Sequence, residues 1–291
     1  MADKLMNRQR MLHLAIFAVY VVAAGVGAGG EEPIRDVTYV EREGRPLKAD
    51  VYLPPGSGPF PGVLLVHGGA WRSGRKGQMI AYGQDLAAAG LVAVSIDYRL
   101  APEHTFPAQI EDCKSAVRWM RASAATYKID PYRVGAMGYS AGGHLVALLG
   151  TTDPTCGLEG PDADGTSTRV HCVVAGGAPC DFRLIPKDLD NFAYWLGGTR
   201  GQKPQAYESA SPLKFASRDD PPMLFIHGDA DRLVPLRGPR RMISQLTDLG
   251  VPTRLYLVPG AGHVQAFTDE GARREAVKFF EEFFINSNKK K

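Results

Sequence analysis

Six short runs of apolar residues alternate with helix-like segments along most of this chain. The runs cover residues 63–66, 92–96, 134–137, 172–175, 223–226 and 254–258. Runs of this kind are typical of parallel strands, because helices cover both faces of such a sheet. The segments with helical periodicity cover residues 78–89, 107–127, 141–150, 239–249 and 272–286. The alternation predicts an α/β fold with a mostly parallel, twisted sheet and helices on both faces.

Other segments break this alternation. Residues 36–42 and 46–54 alternate between apolar and polar side chains on either side of a Glu-Gly pair, which predicts an antiparallel hairpin at the edge of the sheet. Residues 151–168 are rich in Gly, Asp, Pro and Thr and predict a polar surface loop. Residues 178–216 form a long insertion with several aromatic residues. The insertion either covers an edge of the core or forms a small cap that lines an acyl or aromatic pocket.

Length and composition indicate one sizeable domain. The chain has 291 residues, 44% of them hydrophobic, and we expect a single folded domain over residues 31–291. A net charge of only +3, without a basic cluster interleaved with aromatic residues, argues against a nucleic-acid partner. No two of the four cysteines lie in Cys-x-x-Cys spacing, so we expect no metal site. Cys113 is expected to be a buried thiol, whereas Cys156 and Cys172 could form a disulfide in an exported protein.

The N-terminus has the features of an export signal. Lys4, Arg8 and Arg10 precede an apolar run over residues 11–24, and small residues follow that run. Residues 1–30 therefore predict a signal peptide and a secreted or periplasmic protein, with no stable membrane insertion after cleavage. The alternative is a transmembrane anchor, although about 14 strongly apolar residues are fewer than the ~20 that a spanning helix needs.

A lone serine between small residues follows one of the predicted strands. The sequence Gly138-Tyr139-Ser140-Ala141-Gly142 lies between an apolar run and a helical segment, as a nucleophile elbow requires. The chain turns so sharply in such an elbow that side chains two positions before and after the serine would collide, and glycine has no side chain. We therefore expect Ser140 to be a nucleophile. The pentapeptide alone is weak evidence, because Gly and Ser are also common in ordinary loops.

A serine nucleophile needs a base to take its proton and a carboxylate to orient that base. Among the seven histidines, His263 lies in a glycine-rich loop after the last predicted strand, at the edge of the sheet where α/β sites lie. Asp229 and Asp231 both follow the preceding strand. We expect Asp231 to orient His263, because it lies farther into the loop, and Asp229 to cap the turn. The chain order Ser140, Asp231, His263 is the order expected for α/β-hydrolases.

Attack on an ester places negative charge on the carbonyl oxygen, which backbone amides can stabilise. A His-Gly-Gly-Ala-Trp sequence at residues 67–71 follows the first predicted parallel strand and allows the backbone to approach a substrate. We expect Gly69 and Ala70 to donate to this oxyanion, together with Ala141, whose amide begins the helix after the nucleophile. The alternative is that residues 67–71 form only the turn that ends the strand.

With these residues the chain resembles the α/β-hydrolase family from about Val51 to the C-terminal helix. Residues 67–71 and the Asp-Tyr-Arg-Leu-Ala-Pro-Glu-His sequence at residues 97–104 are similar to segments of hormone-sensitive-lipase-type esterases. Ala70 followed by Trp71 is similar to the acetylxylan and feruloyl esterase branch, and also to kynurenine formamidases. The large N-terminal cap of lipase-type relatives has no counterpart between the expected signal and Val51.

The resemblance implies a serine carboxylesterase that forms an acyl-enzyme on Ser140 and needs no metal or organic cofactor. The expected substrates are small-molecule or carbohydrate esters with short acyl groups of the acetyl or feruloyl type, among them esters on plant polysaccharide. Trp71 and Tyr139 are expected to contact the substrate. Two alternatives stay open: an arylformamidase or peptidase with the same triad, and a catalytically inactive hydrolase relative that serves as a binding protein.

Overall fold

A computed structural model describes residues 32–285 of the chain. These residues form an eight-stranded sheet in the order β1-β2-β4-β3-β5-β6-β7-β8. The strands are β1 (Ile34–Arg42), β2 (Arg45–Tyr52), β3 (Phe60–Val66), β4 (Val92–Ile96), β5 (Ile129–Tyr139), β6 (Val173–Gly176), β7 (Met223–Gly228) and β8 (Thr253–Val258). Strands β1 and β2 are antiparallel, β2 also runs antiparallel to β4, and the other pairs are parallel. The predicted hairpin and parallel sheet are confirmed.

Helices cover both faces of the sheet. They are α1 (Ile80–Ala88), α2 (Ala108–Ala122), α3 (Ala141–Thr151), α4 (Ala193–Leu196), α5 (Pro204–Ser209), α6 (Pro212–Phe215), α7 (Arg237–Asp248), α8 (His263–Thr268) and α9 (Glu270–Phe284), with 3-10 turns at Lys76–Met79 and Pro154–Cys156. One core layer contains Leu86 of α1 and Phe280 of α9. The other contains Val117 of α2, Leu145 of α3 and Leu246 of α7. This arrangement confirms the predicted α/β-hydrolase architecture.

Residues 151–168 form the predicted polar surface loop, with one 3-10 turn, whereas the insertion is more ordered than the sequence suggests. The insertion at residues 178–216 contains α4, α5 and α6, and its Trp195 is fully buried. Residues 151–168 also pack on the domain, because Glu159 accepts hydrogen bonds from Lys114 and Arg118 of α2. The insertion therefore contributes to the core.

The sequence also led to expectations about the cysteines and the N-terminus. All four cysteines are free thiols, so the disulfide considered between Cys156 and Cys172 is not formed, and Cys113 is buried as expected. Cys172 directly precedes β6 in the core, whereas Cys156 lies in a surface turn. The predicted signal at residues 1–30 lies outside the described residues. Within residues 32–285, we find no helix with both the length and the apolar character of a membrane span.

A buried ion cluster joins the hairpin, α2 and the loop that follows β4. Asp112 is fully buried and accepts hydrogen bonds from Arg42 Nε at 3.2 Å and from Arg99 Nη2 at 2.9 Å. The backbone amide of Arg99 also donates to Asp112. This loop continues to Ala101, whose amide donates to the Trp71 carbonyl at 2.8 Å. The cluster therefore supports the segment expected to bind the oxyanion.

Replacing Asp112 with Ala would leave two guanidinium groups near the core without their shared carboxylate. We expect Asp112→Ala to lower the free energy of unfolding by about 3 kcal/mol in urea denaturation, since breaking a buried pair strands its partner. Glu103→Ala is the matched control: Glu103 pairs with Arg45 on the surface, where both side chains are more than half exposed. That control should lose less than about 1 kcal/mol. Equal losses in the two variants would contradict the assigned importance of the cluster.

Candidate active site

Ser140 lies at a strained turn between β5 and α3. Its φ of 57° and ψ of −118° are unusual for a residue with a side chain. A Cβ on Gly142 would collide with the Val66 carbonyl oxygen, and one on Gly138 would collide with the Gly142 backbone. The Ser140 amide donates to the Gly176 carbonyl at 2.7 Å. The turn therefore needs both glycines and is fixed by the neighbouring strands.

His263 and Asp231 are hydrogen-bonded to each other. His263 Nδ1 lies 2.6 Å from Asp231 Oδ2, and the Asp231 side chain has no solvent exposure. Asp231 Oδ1 accepts the backbone amides of Leu233 and Val234 at 2.8 and 2.9 Å. Burial raises the pKa of Asp231, but the hydrogen bonds from His263 and these two amides outweigh it and hold the pKa below its usual value. The carboxylate therefore stays ionised and keeps the His263 proton on Nδ1.

This tautomer leaves Nε2 of His263 as the proton acceptor. Nε2 is buried and has no hydrogen-bond partner within residues 32–285. His263 is the first residue of the short helix α8, whereas the sequence predicted an open loop. A Cβ on Gly177 would lie 2.8 Å from His263 Cε1, so the chain leaving β6 passes against the ring. The arrangement provides a base whose acceptor nitrogen no protein group uses.

The alternative carboxylate has a different role. Asp229 is exposed, and its Oδ1 accepts the Gly260 amide at 2.7 Å. This bond joins the loops after β7 and β8. Asp229 thus supports the loop that leads to His263, through an amide of that loop rather than of its own turn.

The loop after β3 lies directly against the elbow. A Cβ on Gly68 would be 2.9 Å from the Tyr139 carbonyl oxygen and 3.2 Å from Ser140 Cβ. Gly69, Ala70 and Trp71 all have positive φ, at 119°, 52° and 58°. The hydrogen bonds described for residues 32–285 do not use the N–H groups of Gly69, Ala70 or Ala141. These three amides are therefore available to a ligand beside Ser140.

Two residues expected to contact substrate are core residues. Trp71 is 3% exposed, and its indole stacks on Trp195 at a centroid distance of 3.8 Å. Tyr139 is 4% exposed, and its hydroxyl donates to the His263 carbonyl at 2.7 Å. Both rings have almost no exposed surface, and their contact with a substrate stays a prediction. Tyr139 anchors the backbone of the residue that carries the imidazole.

The side chains that support residues 67–71, the loop after β3, were not predicted from the sequence. Tyr98 donates to the His67 carbonyl at 3.0 Å and stacks on the His67 ring. Tyr194 of the insertion donates to the Ala70 carbonyl at 2.7 Å. The sequence at residues 97–104 was a signal for Tyr98, because it was already part of the resemblance. Only the aromatic content of residues 178–216 could have pointed to Tyr194.

No metal site accompanies these groups. Within residues 32–285, no cluster of His, Cys, Asp and Glu side chains has an arrangement that could hold a metal ion. The site is therefore built from a serine at an elbow, a carboxylate-oriented imidazole and free amides. Such a set of groups suits acyl transfer.

Comparisons with known proteins agree with this fold. The family model described as BD-FAE matches residues 49–246. Esterase LipC of Mycobacterium tuberculosis is 33% identical over 266 residues, which cover 88% of this chain and 63% of LipC. Two further curated relatives from that organism, LipM and LipQ, are covered over 58% and 54% of their length. The chain thus spans less than two thirds of the length of these curated relatives.

Solved structures are similar over nearly their whole length. A truncated carbohydrate esterase from gut microbiota superposes with a TM-score of 0.78 and 29% identity, covering 87% of this chain and 96% of that one. Esterase 2 of the planctomycete Thermogutta terrifontis has a TM-score of 0.75 and 26% identity, covering 89% and 94%. The similarity therefore covers most of this chain and nearly all of each solved structure.

Two buried histidines make the stability of this site sensitive to acid. Burial lowers the pKa of both His67 and His144 to about 4. As the pH falls from 6.5 towards 4, the unfolded chain binds protons at these positions and the folded protein does not, so stability is lost over that window. We expect the free energy of unfolding to fall by up to about 1.4 kcal/mol per pH unit for each imidazole.

Urea denaturation at pH 7, 6, 5 and 4.5 measures this dependence. The His144→Gln variant should have a shallower dependence than the wild-type protein, because one of the buried imidazoles with a lowered pKa is gone. Identical slopes in the two proteins would show that His144 does not remain neutral in the fold.

Proposed function

This chain belongs to the BD-FAE family of α/β-hydrolase esterases, and from that premise we propose that it is a serine carboxylesterase. The observation that carries the proposal is the 2.6 Å hydrogen bond between buried Asp231 and His263, whose other nitrogen is a free base. The ring of Tyr139, which directly precedes the strained Ser140, lies 5.3 Å from the His263 ring, and the loop with the unused amides of residues 69–70 lies against the same elbow. Together these groups supply what ester hydrolysis requires of a protein.

In the proposed mechanism, Ser140 Oγ attacks the ester carbonyl while His263 Nε2 accepts the hydroxyl proton. The negative charge that develops on the carbonyl oxygen is stabilised by the amides of Gly69, Ala70 and Ala141. Collapse of this intermediate breaks the ester bond, and His263 returns the proton to the leaving alcohol. Water then attacks the acyl-enzyme with His263 as base, which releases the acid and regenerates the serine. Asp231 remains ionised throughout and stabilises the imidazolium.

We propose short acyl groups, of the acetyl or feruloyl type, as the part of the substrate that Ser140 accepts. Support comes from the aromatic rings that fill the volume next to the oxyanion loop. Phe182 and Trp195 are buried and pack against Trp71, so these side chains leave little room for a large acyl group there and favour acetyl over feruloyl. The similarity to a carbohydrate esterase from gut microbiota favours a carbohydrate as the alcohol.

We also propose that the protein is secreted or periplasmic. The basic residues before the apolar run at residues 11–24 support this proposal, because they are arranged as in an export signal. Polysaccharides are too large to enter cells, so an exported enzyme would meet esterified polysaccharide where it occurs.

Substitutions in the triad test the mechanism. Ser140→Ala should lower kcat for p-nitrophenyl acetate at least ~1,000-fold, and Asp231→Asn should lower it by a similar factor through loss of the correct tautomer. The matched control is Asp229→Asn, which keeps an oxygen for the Gly260 amide and should stay within about threefold of wild type. Circular dichroism establishes that each variant is folded. Substantial activity in folded Ser140→Ala would refute the assignment of the nucleophile.

A substrate panel tests the acyl group. We expect kcat/KM for p-nitrophenyl acetate to exceed that for the octanoate ester by about tenfold or more, because the volume beside the oxyanion loop is filled. Acetylated xylan should be hydrolysed faster than methyl ferulate, because the feruloyl group is larger than the octanoyl group, and N-formylkynurenine should not be hydrolysed. A preference for octanoate would contradict the short-acyl proposal. Faster hydrolysis of N-formylkynurenine than of any ester would instead indicate an amide hydrolase.

A further inference from the structure

His144 lies on α3, one turn after the proposed nucleophile, and is fully buried. Its backbone amide donates to the Ser140 carbonyl at 2.9 Å. Its ring nitrogens have two different partners: Trp71 Nε1 lies 3.1 Å from Nδ1, and the Ala210 carbonyl oxygen lies 2.7 Å from Nε2. The imidazole therefore joins three parts of the site, namely the nucleophile helix, the loop after β3 and the insertion.

These partners determine the protonation of the ring. An indole N–H can only donate, so Nδ1 of His144 must be unprotonated. A backbone carbonyl can only accept, so Nε2 must carry the proton. His144 is thus a neutral imidazole whose two hydrogen bonds run in one direction, from Trp71 through His144 to Ala210.

The loop that His144 holds is strained. Ala70 and Trp71 both have positive φ, a conformation that side chains disfavour and that persists only where the surroundings impose it. Stacking on Trp195 fixes the plane of the Trp71 indole, but stacked rings can slide over each other. The hydrogen bond to His144 adds a directional contact to this stack.

The expected oxyanion donors lie on both sides of this contact. The amides of Gly69 and Ala70 belong to the loop, whereas the amide of Ala141 belongs to α3, the helix that carries His144. Donors that stabilise one oxyanion must converge on one point to within a few tenths of an ångström. The bond between Trp71 and His144 therefore sets the position of one group of donors relative to the other.

We propose that His144 is a positioning residue that sets the geometry of the oxyanion site by holding the Trp71 indole through its unprotonated Nδ1. This inference rests on the proposed esterase function, because it concerns the same site. His144 contacts no reacting atom, and its effect passes through Trp71. Loss of the contact should therefore weaken stabilisation of the transition state more than binding of the substrate.

Three substitutions separate the effect of the hydrogen bond to Trp71 from that of the hydrogen bond to Ala210. In His144→Asn the amide oxygen occupies about the place of Nδ1 and can accept from Trp71. In His144→Gln the amide nitrogen occupies about the place of Nε2 and can donate to Ala210, but nothing accepts the indole proton. Trp71→Phe keeps an aromatic ring and removes that proton. His171→Gln is the control, because His171 precedes β6 at the opposite end of the sheet from Ser140.

We expect kcat for p-nitrophenyl acetate to fall at least ~10-fold in His144→Gln and Trp71→Phe, with KM within about threefold of wild type. His144→Asn should recover a large part of that loss, and His171→Gln should leave kcat and KM unchanged. The double variant His144→Gln/Trp71→Phe should be no slower than the slower single variant, because both remove one contact. Thermal unfolding confirms that each variant is folded.

Other results of the same experiments would overturn the proposal. The proposal is overturned if folded His144→Gln keeps wild-type kcat, if His144→Asn is as slow as His144→Gln, or if the losses multiply in the double variant. Nitrogen NMR of wild-type histidine provides a readout that needs no variant: His144 should carry its proton on Nε2, and a proton on Nδ1 would overturn the proposal. Failure of the wild-type protein to hydrolyse any ester would overturn the proposed function itself, and the inactive wild type distinguishes that case.

Discussion

The close approach of α3 to the end of β3 is the contact on which the site depends. At Gly142 the helix lies so near the Val66 and His67 carbonyls that no side chain fits between them. This contact brings two segments that are distant in the sequence, the elbow at Ser140 and the loop at residues 67–71, to one end of the sheet. A Cβ at residue 142 would separate them, and the amides beside Ser140 would no longer face the same point. Backbone packing therefore sets the relative position of the elbow and the loop at residues 67–71, and the side chains of the candidate site depend on it.

Charge is distributed unevenly around this contact. The ionised Asp231 faces His263 on one side, where two backbone amides share its negative charge. On the other side His67 and His144 are buried among aromatic rings, and burial keeps them neutral by lowering the pKa of each to about 4. A charged imidazole there would place an unpaired positive charge among these rings, which is costly. The neutral histidines hold the loop without altering the charge that the reacting atoms experience.

The sequence predicted the sheet well because each buried strand carries its own signal. Parallel strands covered on both faces are apolar throughout, and a hairpin has its own alternating pattern, so neither depends on distant residues. The elbow, Asp231 and His263 follow three different strands, and their proximity follows from the rule that parallel strands end at one edge. The structure brings Asp231 and His263 into hydrogen-bond contact, as expected from this placement. What the sequence could not provide was the orientation of side chains whose partners are far along the chain. Trp71 was expected to face a substrate, yet it is buried because Trp195 of the insertion covers it.

The insertion at residues 178–216 does more than cover an edge of the core, because its side chains and backbone contact the loop after β3 and His144. Through Trp195 it supplies the surface on which Trp71 stacks, through Tyr194 it holds the Ala70 carbonyl, and through Ala210 it accepts the His144 proton. Two of these contacts are made to Ala70 and Trp71 of the strained loop, and the third is made to His144, which is hydrogen-bonded to Trp71. Because the rings also occupy the volume beside that loop, a change in the insertion that makes room for a larger acyl group would also remove support from the oxyanion donors. Under the proposed mechanism, acyl size and transition-state stabilisation are coupled through these rings, because the same side chains would limit the one and support the other.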